Sequence, residues 1–272
     1  MDSIPVVTNY ECEEQCKPKR HTHRTTTAEL RLINDIEAHE IPYWYPTDPF
    51  GPHREMYIRS ALHLRGITRV CDFYTKRNLW ALAAVWAHVA PSFRFQVTAV
   101  ARLASRMAKV GLGHYFHKTG GPINAGVTTT LYIPSYSAEQ NVAKLIESRF
   151  EKTELTKLIR TQIIVSCSSA ASLDAIDEDT VDYIFTDPPF GSNIFYADCS
   201  LLWDAWLQDF TDVQQEAVWN KSLKPEQGGK TLTDYSDIMD RALAEMYRVL
   251  KPGRWASIPT TPFILDLIGR PL

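Results

Sequence analysis

The residues best placed to do chemistry are Asp187-Pro188-Pro189-Phe190, which follow the apolar run Val181-Asp182-Tyr183-Ile184-Phe185-Thr186. Proline has no N–H to give to a sheet ladder, so a strand entering this segment must stop at Pro188. The order places a carboxylate and an aromatic ring at the carboxyl end of a buried strand. Open α/β sheets bind their ligands there. The carboxylate is an acceptor and the ring a stacking surface, and paired prolines stiffen the loop that carries both. An ordinary turn is the competing reading of the same four residues.

The surroundings narrow the choice. Ser172 to Thr180 reads as a short polar lead into the strand, and Arg248-Val249-Leu250-Lys251-Pro252-Gly253 ends a helix and begins another strand. In this setting the tetrapeptide resembles the catalytic motif of the DNA amino-methyltransferases, which methylate adenine N6 or cytosine N4 with S-adenosylmethionine. The resemblance implies that the Asp187 carboxylate and the Pro188 carbonyl each accept one N–H of the base amine. Phe190 would stack on a base rotated out of the duplex. Pro188 and Pro189 fix the loop, so catalysis rests on positioning and charge placement. An Asp at the first position leans towards adenine in that family.

Phe190 to Ser200, Leu202 to Leu207, Phe73 to Trp80 and Leu131 to Ser135 are similar to stretches of large bacterial adenine-specific, zinc-ribbon-containing DNA methylases. The likeness covers most of 1–255 and is strongest over 180–253. Two departures stand out. The Gly-rich cofactor loop of the family, Asp-Pro-Phe-x-Gly-Ser-Gly, is missing. Tyr45-Pro46-Thr47-Asp48-Pro49-Phe50-Gly51 has its first letters only, and Gly111-Leu112-Gly113 follows a basic helical stretch rather than a strand. Sheet strands are also expected after Gly253-Arg254-Trp255, where the chain instead turns to Pro259-Thr260-Thr261-Pro262. The expectation is an internal piece of a longer enzyme, or a product truncated at both ends, whose cofactor residues cannot be assigned.

The expected fold is α/β: part of a Rossmann-like methyltransferase sheet with an added, mainly helical, basic region. Residues 1–53 read as irregular, 54–130 as the basic helical region, 131–258 as the partial catalytic core and 259–272 as an atypical tail. Leu79, Leu82, Ala83, Trp86 and Val89 share one helical stripe. Ser137-Ala138-Glu139-Gln140 reads as a capping box opening a helix to Phe150. Ile163-Ile164-Val165 and Tyr183-Ile184-Phe185 read as buried strands. Thr231 to Asp234 opens a helix with Tyr235, Ile238, Met239, Ala242, Met246 and Val249 inside, and Lys251-Pro252-Gly253 stops it. Residues 208–230 read as a loop with Gly228-Gly229 as a hinge, either a lid or plain surface.

A length of 272 residues with 44% hydrophobic content suits one large or two modest domains. No apolar run is long enough to span a membrane. The acidic N-terminus is no signal peptide. Five scattered cysteines suit a reducing cytoplasm. The net charge of −3 hides segregation: Pro91 to Ser137 holds no Asp or Glu but includes Arg94, Arg102, Arg106, Lys109 and Lys118, whereas Thr161 to Asn220 holds no Lys or Arg. A DNA enzyme needs cations for phosphates, so these five residues are the expected DNA contacts, with Arg102 and Arg106 sharing a helix face. A solvated basic helix with core aromatics explains the charges equally well.

Cys12, Cys16, His21 and His23 are metal-ligand types, but the two histidines are too close for a tetrahedral site and charged residues crowd them, so no metal is assigned. Trp203 and Trp206 read as helix core, and Cys199 as a packing thiol. Two functions remain. One is a DNA methyltransferase, or its catalytic fragment. The other is a catalytically incomplete remnant that binds nucleic acid or a companion chain carrying the cofactor loop.

Overall fold

A computed structural model describes residues 5–12, 20–111, 123–124, 130–152, 164–166 and 168–259. The architecture is mixed helix and small sheet. The helices are α1 (Thr27–Ala38), α2 (Glu55–Arg59), α3 (Lys76–His88), α4 (Arg94–Ala101), α5 (Val142–Lys152), α6 (Tyr196–Leu207) and α7 (Leu232–Val249). Strands β1 (Val7–Glu11) and β2 (Arg20–Arg24) form an antiparallel hairpin, as do β3 (Lys109–Val110) and β4 (Ile123–Asn124). Strands β5 (Val181–Phe185) and β6 (Leu250–Ser257) pair in parallel. No helix among these residues is long and apolar enough to cross a membrane.

The main core is helical. Leu79, Leu82, Ala83 and Trp86 of α3 pack with Val97, Val100 and Ala101 of α4, with Leu201, Leu202, Ala205 and Trp206 of α6, and with Phe50, Phe73 and Leu131. This is the stripe read from the α3 periodicity. Thr75 caps α3, its hydroxyl accepting from the Asn78 N–H at 3.3 Å. Phe50 is fully buried in the core, and Val70 N–H donates to the Asp48 carbonyl while Phe50 N–H donates to the Thr68 carbonyl, which ties this segment to 68–70.

Helix α7 and the parallel pair form a smaller outlying unit. Thr231 and Asp234 make the capping box that starts α7. Tyr235, Ile238, Met239, Ala242 and Val249 are buried, as the periodicity requires, whereas Met246, expected with them, is half-buried. The chain passes directly from Val249 into β6, where Tyr183 faces Trp255 and Phe185 faces Ser257.

Several expectations are corrected. Among the described residues the parallel sheet has two strands, so no Rossmann-like sheet is seen. Its strands are not buried: Tyr183 is 55% exposed, Phe185 71% and Trp255 77%. The apolar letters were right for a strand, but the layers that would bury them are not among these residues. Ile164 and Val165 are almost fully exposed and lie outside any strand, and Ile163 lies outside the described residues. Segment 1–53 is irregular only in part: it carries the hairpin and α1, and 39–53 has no helix or strand. The α1 start is a Thr26–Glu29 capping box. Helix α5 starts at Val142 rather than Ser137. Glu139 is occupied by Arg77 and Thr75, and Asn141 supplies the cap through Oδ1 to the Lys144 N–H. Cys12 is disulfide-bonded, against the expectation of thiols throughout; Cys71 and Cys199 are free. Most of the tail 259–272 lies outside the described residues.

Candidate functional site

Strand β5 delivers the Asp187-Pro188-Pro189-Phe190 loop, and its last ladder bond is Thr186 N–H to the Ser257 carbonyl at 3.2 Å. The polar lead is fixed to α7 from behind. Glu245 accepts from the Leu173 N–H at 2.9 Å, and Arg248 donates to the carbonyls of Leu173 and Ile176, each at 3.1 Å. The Arg248 guanidinium, which also donates to Glu245 at 2.8 Å, and then the Leu173 N–H hold the Glu245 carboxyl down at about 2. Strand entry and the helix end before β6 are therefore one hydrogen-bonded unit.

Beyond β5, Pro188 is buried, Pro189 half-buried, and Asp187 and Phe190 reach solvent. The Tyr235 hydroxyl donates to the Pro189 carbonyl at 2.9 Å, and the Tyr235 ring meets Trp219 edge-on at 5.3 Å. Gly191 has φ +67, and a Cβ there would stand 1.9 Å from the Trp219 ring. Only glycine fits. The loop is thus pinned at Pro189 and Gly191 from α7 and Trp219. Among the described residues, neither the Asp187 carboxylate nor the Pro188 carbonyl has a hydrogen-bond partner. The Asp187 carboxylate and the Phe190 ring stand open on a pinned turn, and the Pro188 carbonyl, on a buried residue, is unpaired among the described residues.

The loop feeds α6, whose first turn is clamped to the helical body. Asp198 pairs with Arg54 at 3.0 Å and accepts from the Met56 N–H at 2.8 Å, with both side chains buried. Burial pushes the Asp198 carboxyl up, while the Met56 and Arg54 bonds oppose it. Glu216 accepts from the Ala197 N–H at 3.1 Å, and burial raises its carboxyl as well. Tyr196 is exposed beside these groups. Burial pushes its hydroxyl up first, and the Asp187 and Glu216 charges add to the shift.

Segment 208–230 is tied down rather than hinged. Glu55 accepts from the N–H groups of Lys221, Ser222 and Leu223 and from the Asn220 amide. Lys230 is buried and donates to the carbonyls of Val213 and Glu216. Burial lowers its pKa, and Glu216 and Asp212 oppose the shift. Gly228 has φ +88, and a Cβ at Gly229 would meet the Leu223 carbonyl at 2.2 Å. This glycine pair makes a tight turn, not a hinge.

The expected DNA contacts do not form one face. Helix α4 ends at Ala101, so Arg102 and Arg106 share no helical face. Arg102 is 5% exposed and donates to the Thr130 carbonyl at 2.9 Å, which takes it off the surface. Arg106 is half-buried and donates to the Asp72 carbonyl. Arg94 lies over the Trp86 ring at 4.9 Å, and Lys109 sits half-buried in β3. Lys118 lies outside the described residues. The Arg102–Arg106 spacing read as a helical i,i+4 pair, but the segment bends after Ala101 and folds Arg102 inward.

His23 bonds Glu29 at 3.0 Å and His21 stacks on Tyr10, so both rings are engaged in the hairpin; Cys16 lies outside the described residues. Trp206 is buried and donates to the Tyr74 hydroxyl, and Trp203 donates to the Thr98 carbonyl. Cys199 is buried, which pushes its thiol up to about 11, the reverse of a nucleophile. Sequence reasoning missed the Arg54–Asp198 clamp and the Glu55, Glu216 and Lys230 brackets. Their partners are far apart in the chain and carry no spacing signal. The one legible clue was Gly191, directly after the motif. No protein-family model, curated protein or solved structure matches this chain.

Proposed function

We propose that this chain is the base-binding part of a DNA amino-methyltransferase acting on adenine N6. The observation that carries the reading is the Asp187-Pro188-Pro189-Phe190 loop at the end of β5, with the Asp187 carboxylate and the Phe190 ring exposed and the Pro188 carbonyl unpaired among the described residues. The Asp187 carboxylate and the Pro188 carbonyl would each accept one N–H of an extruded base. An exocyclic amine has its lone pair delocalised into the ring. Two acceptors on opposite N–H bonds draw it towards tetrahedral geometry and aim the lone pair outward. Phe190 stacks on the base plane. The bonds from Tyr235 and the Trp219 contact hold this geometry before substrate arrives, which is where a positioning site gains its rate.

The described residues carry no Gly-rich loop for S-adenosylmethionine. The small cavity between the start of α6 and segment 213–230, about 10 Å³, takes no residue of the Asp187–Phe190 loop into its lining. The nearest glycine, Gly191, is packed against Trp219 and offers no open backbone. The methyl donor would therefore be held by a companion chain or a further segment with the Gly-rich loop. The open faces of β5 and β6 support that division. They also support the second reading, a non-catalytic remnant that binds such a companion. The deciding experiment is radiolabelled methyl transfer to duplex DNA with a companion bearing the Gly-rich loop, with the product nucleoside identified. N6-methyladenine formation that needs Asp187 supports the enzyme. Complex formation without transfer supports the remnant.

A further inference from the structure

We propose a second ligand site, for a nucleotide unit, in the tryptophan cleft at the C-terminal end of α6. The cleft has a volume of about 330 Å³ and is lined by Trp44, Trp86, Arg94, Trp206 and Gln208. This site is separate from the Asp187 loop. The loop precedes the first turn of α6, and a helix of twelve residues puts roughly 18 Å between its ends. The proposal does not depend on the methyltransferase reading.

The walls specify the ligand. Trp206 and Trp86 are buried and form the floor, whereas Trp44 is 44% exposed. Trp44 meets Trp206 edge-on at 5.9 Å and Trp86 at 6.3 Å. A volume of 330 Å³ lies at the small end of ligand pockets and matches one flat ring with a substituent. Three indoles could in principle cage a quaternary ammonium. Arg94 decides against that. Its guanidinium already lies over Trp86 at 4.9 Å, so a second cation would meet like charge. The Arg94 Nε is buried and has no hydrogen-bond partner among the described residues, an expensive state unless an acceptor arrives. Helix α6 ends in the cleft, but its Asp204 carbonyl is taken by the N–H groups of Gln208 and Asp209, which blunts the negative helix end. The ligand chemistry is a planar heteroaromatic ring stacked on Trp44, its edge within reach of the Gln208 amide, with a phosphate on Arg94. A free mononucleotide and one nucleotide of a single strand share that chemistry.

The test uses the full chain and four probes: AMP, adenosine, a fluorescein-labelled single-stranded octanucleotide, and tetramethylammonium. Intrinsic fluorescence and anisotropy read binding. Circular dichroism reads the fold. Stacking of a base on an aromatic side chain sets the scale at about tenfold or more. Trp44→Ala is expected to weaken AMP or octanucleotide binding by about that factor, Trp44→Phe to restore most of it, and Arg94→Gln to weaken the phosphate-bearing probes while sparing adenosine. Binding of AMP identifies a free nucleotide site, and binding of the octanucleotide alone identifies a strand-reading site; both support the proposal. Binding of tetramethylammonium in preference to AMP overturns it. So does unchanged affinity in a folded Trp44→Ala protein, or no binding of either nucleotide probe at millimolar concentration. Arg94→Lys, which keeps the charge over Trp86, separates loss of contact from loss of fold.

Discussion

Gly191 lies so close to Trp219 that a Cβ at this position would stand 1.9 Å from the indole, and its φ of +67 is one that side chains avoid. The residue directly after the Asp187–Phe190 loop is therefore locked from two sides. Gly191→Ala should destabilise the chain by about 2–5 kcal/mol, combining left-handed backbone cost with overpacking. Urea unfolding measures the change. Trp219→Ala in the same chain should recover part of it, because the two residues are in contact and their effects will not add. Full additivity would sink the packing argument.

Asp187 has no hydrogen-bond partner among the described residues, so it separates function from stability. Asp187→Ala should leave the melting temperature within a degree or two. It should cut methyl transfer, in an assay completed by a companion chain, by on the order of a hundredfold or more. Tyr235→Phe is the contrasting variant. It removes the hydroxyl that donates to the Pro189 carbonyl and should cost about 1 kcal/mol of stability, with a smaller loss of transfer. Equal turnover by Asp187→Ala and its parent would end the proposed assignment.

Arg102 was expected on a DNA-binding face and is instead buried against the Thr130 carbonyl. Arg102→Gln should therefore lower stability by about 2 kcal/mol, the scale of a lost charge-assisted hydrogen bond. The salt slope of any DNA binding should stay where it was, since a phosphate contact is worth nearly one unit of slope. A flattened slope with unchanged stability would put Arg102 back on the surface.

The sequence made some of this legible and hid the rest for identifiable reasons. The α7 stripe, the α3 stripe, the end of β5 at Pro188 and the passage from α7 into β6 all follow from local rules: period, caps and the missing proline N–H. Strand burial did not follow, because burial is set by neighbouring layers and Tyr183, Phe185 and Trp255 have none among the described residues. The clamp of Arg54 on Asp198 joins residues 144 apart, and no periodicity spans that distance. The charge run at 94–118 was read as a face. Composition gives the sign of a segment but not the direction in which each side chain points.

Glu245 gives a pH signature. Its bonds to Arg248 and the Leu173 N–H lower its carboxyl from 4.5 to about 2. A depressed carboxyl pKa means that the folded state holds the ionised form more tightly than the unfolded chain does. The stabilisation is present above about pH 4.5 and is lost as pH falls towards 2. Glu245→Gln should flatten this part of the acid unfolding curve and expose the 172–180 lead to protease at neutral pH. A steeper acid transition in the variant would contradict the sign.

The parallel pair raises the last prediction. Two parallel strands with Tyr183, Phe185 and Trp255 in solvent are an unusual resting state, because parallel sheets are normally covered on both faces. Among the described residues the outer edge of β5 pairs with no strand, which leaves a template for another one. The chain alone should bind S-adenosylmethionine no tighter than millimolar by calorimetry, because the Asp187 loop is one wall of a pocket and the Gly-rich turn that would form the other is not seen among the described residues. A companion with the Gly-rich loop should add a parallel strand beside β5. Amide exchange at Tyr183 and Phe185 should then slow, Trp255 fluorescence should shift to the blue, and cofactor affinity should rise to micromolar. Micromolar binding by the chain alone would show a cofactor site within it and remove the need for a companion. Slowed exchange without cofactor binding would leave the chain a partner-binding remnant rather than half of an enzyme.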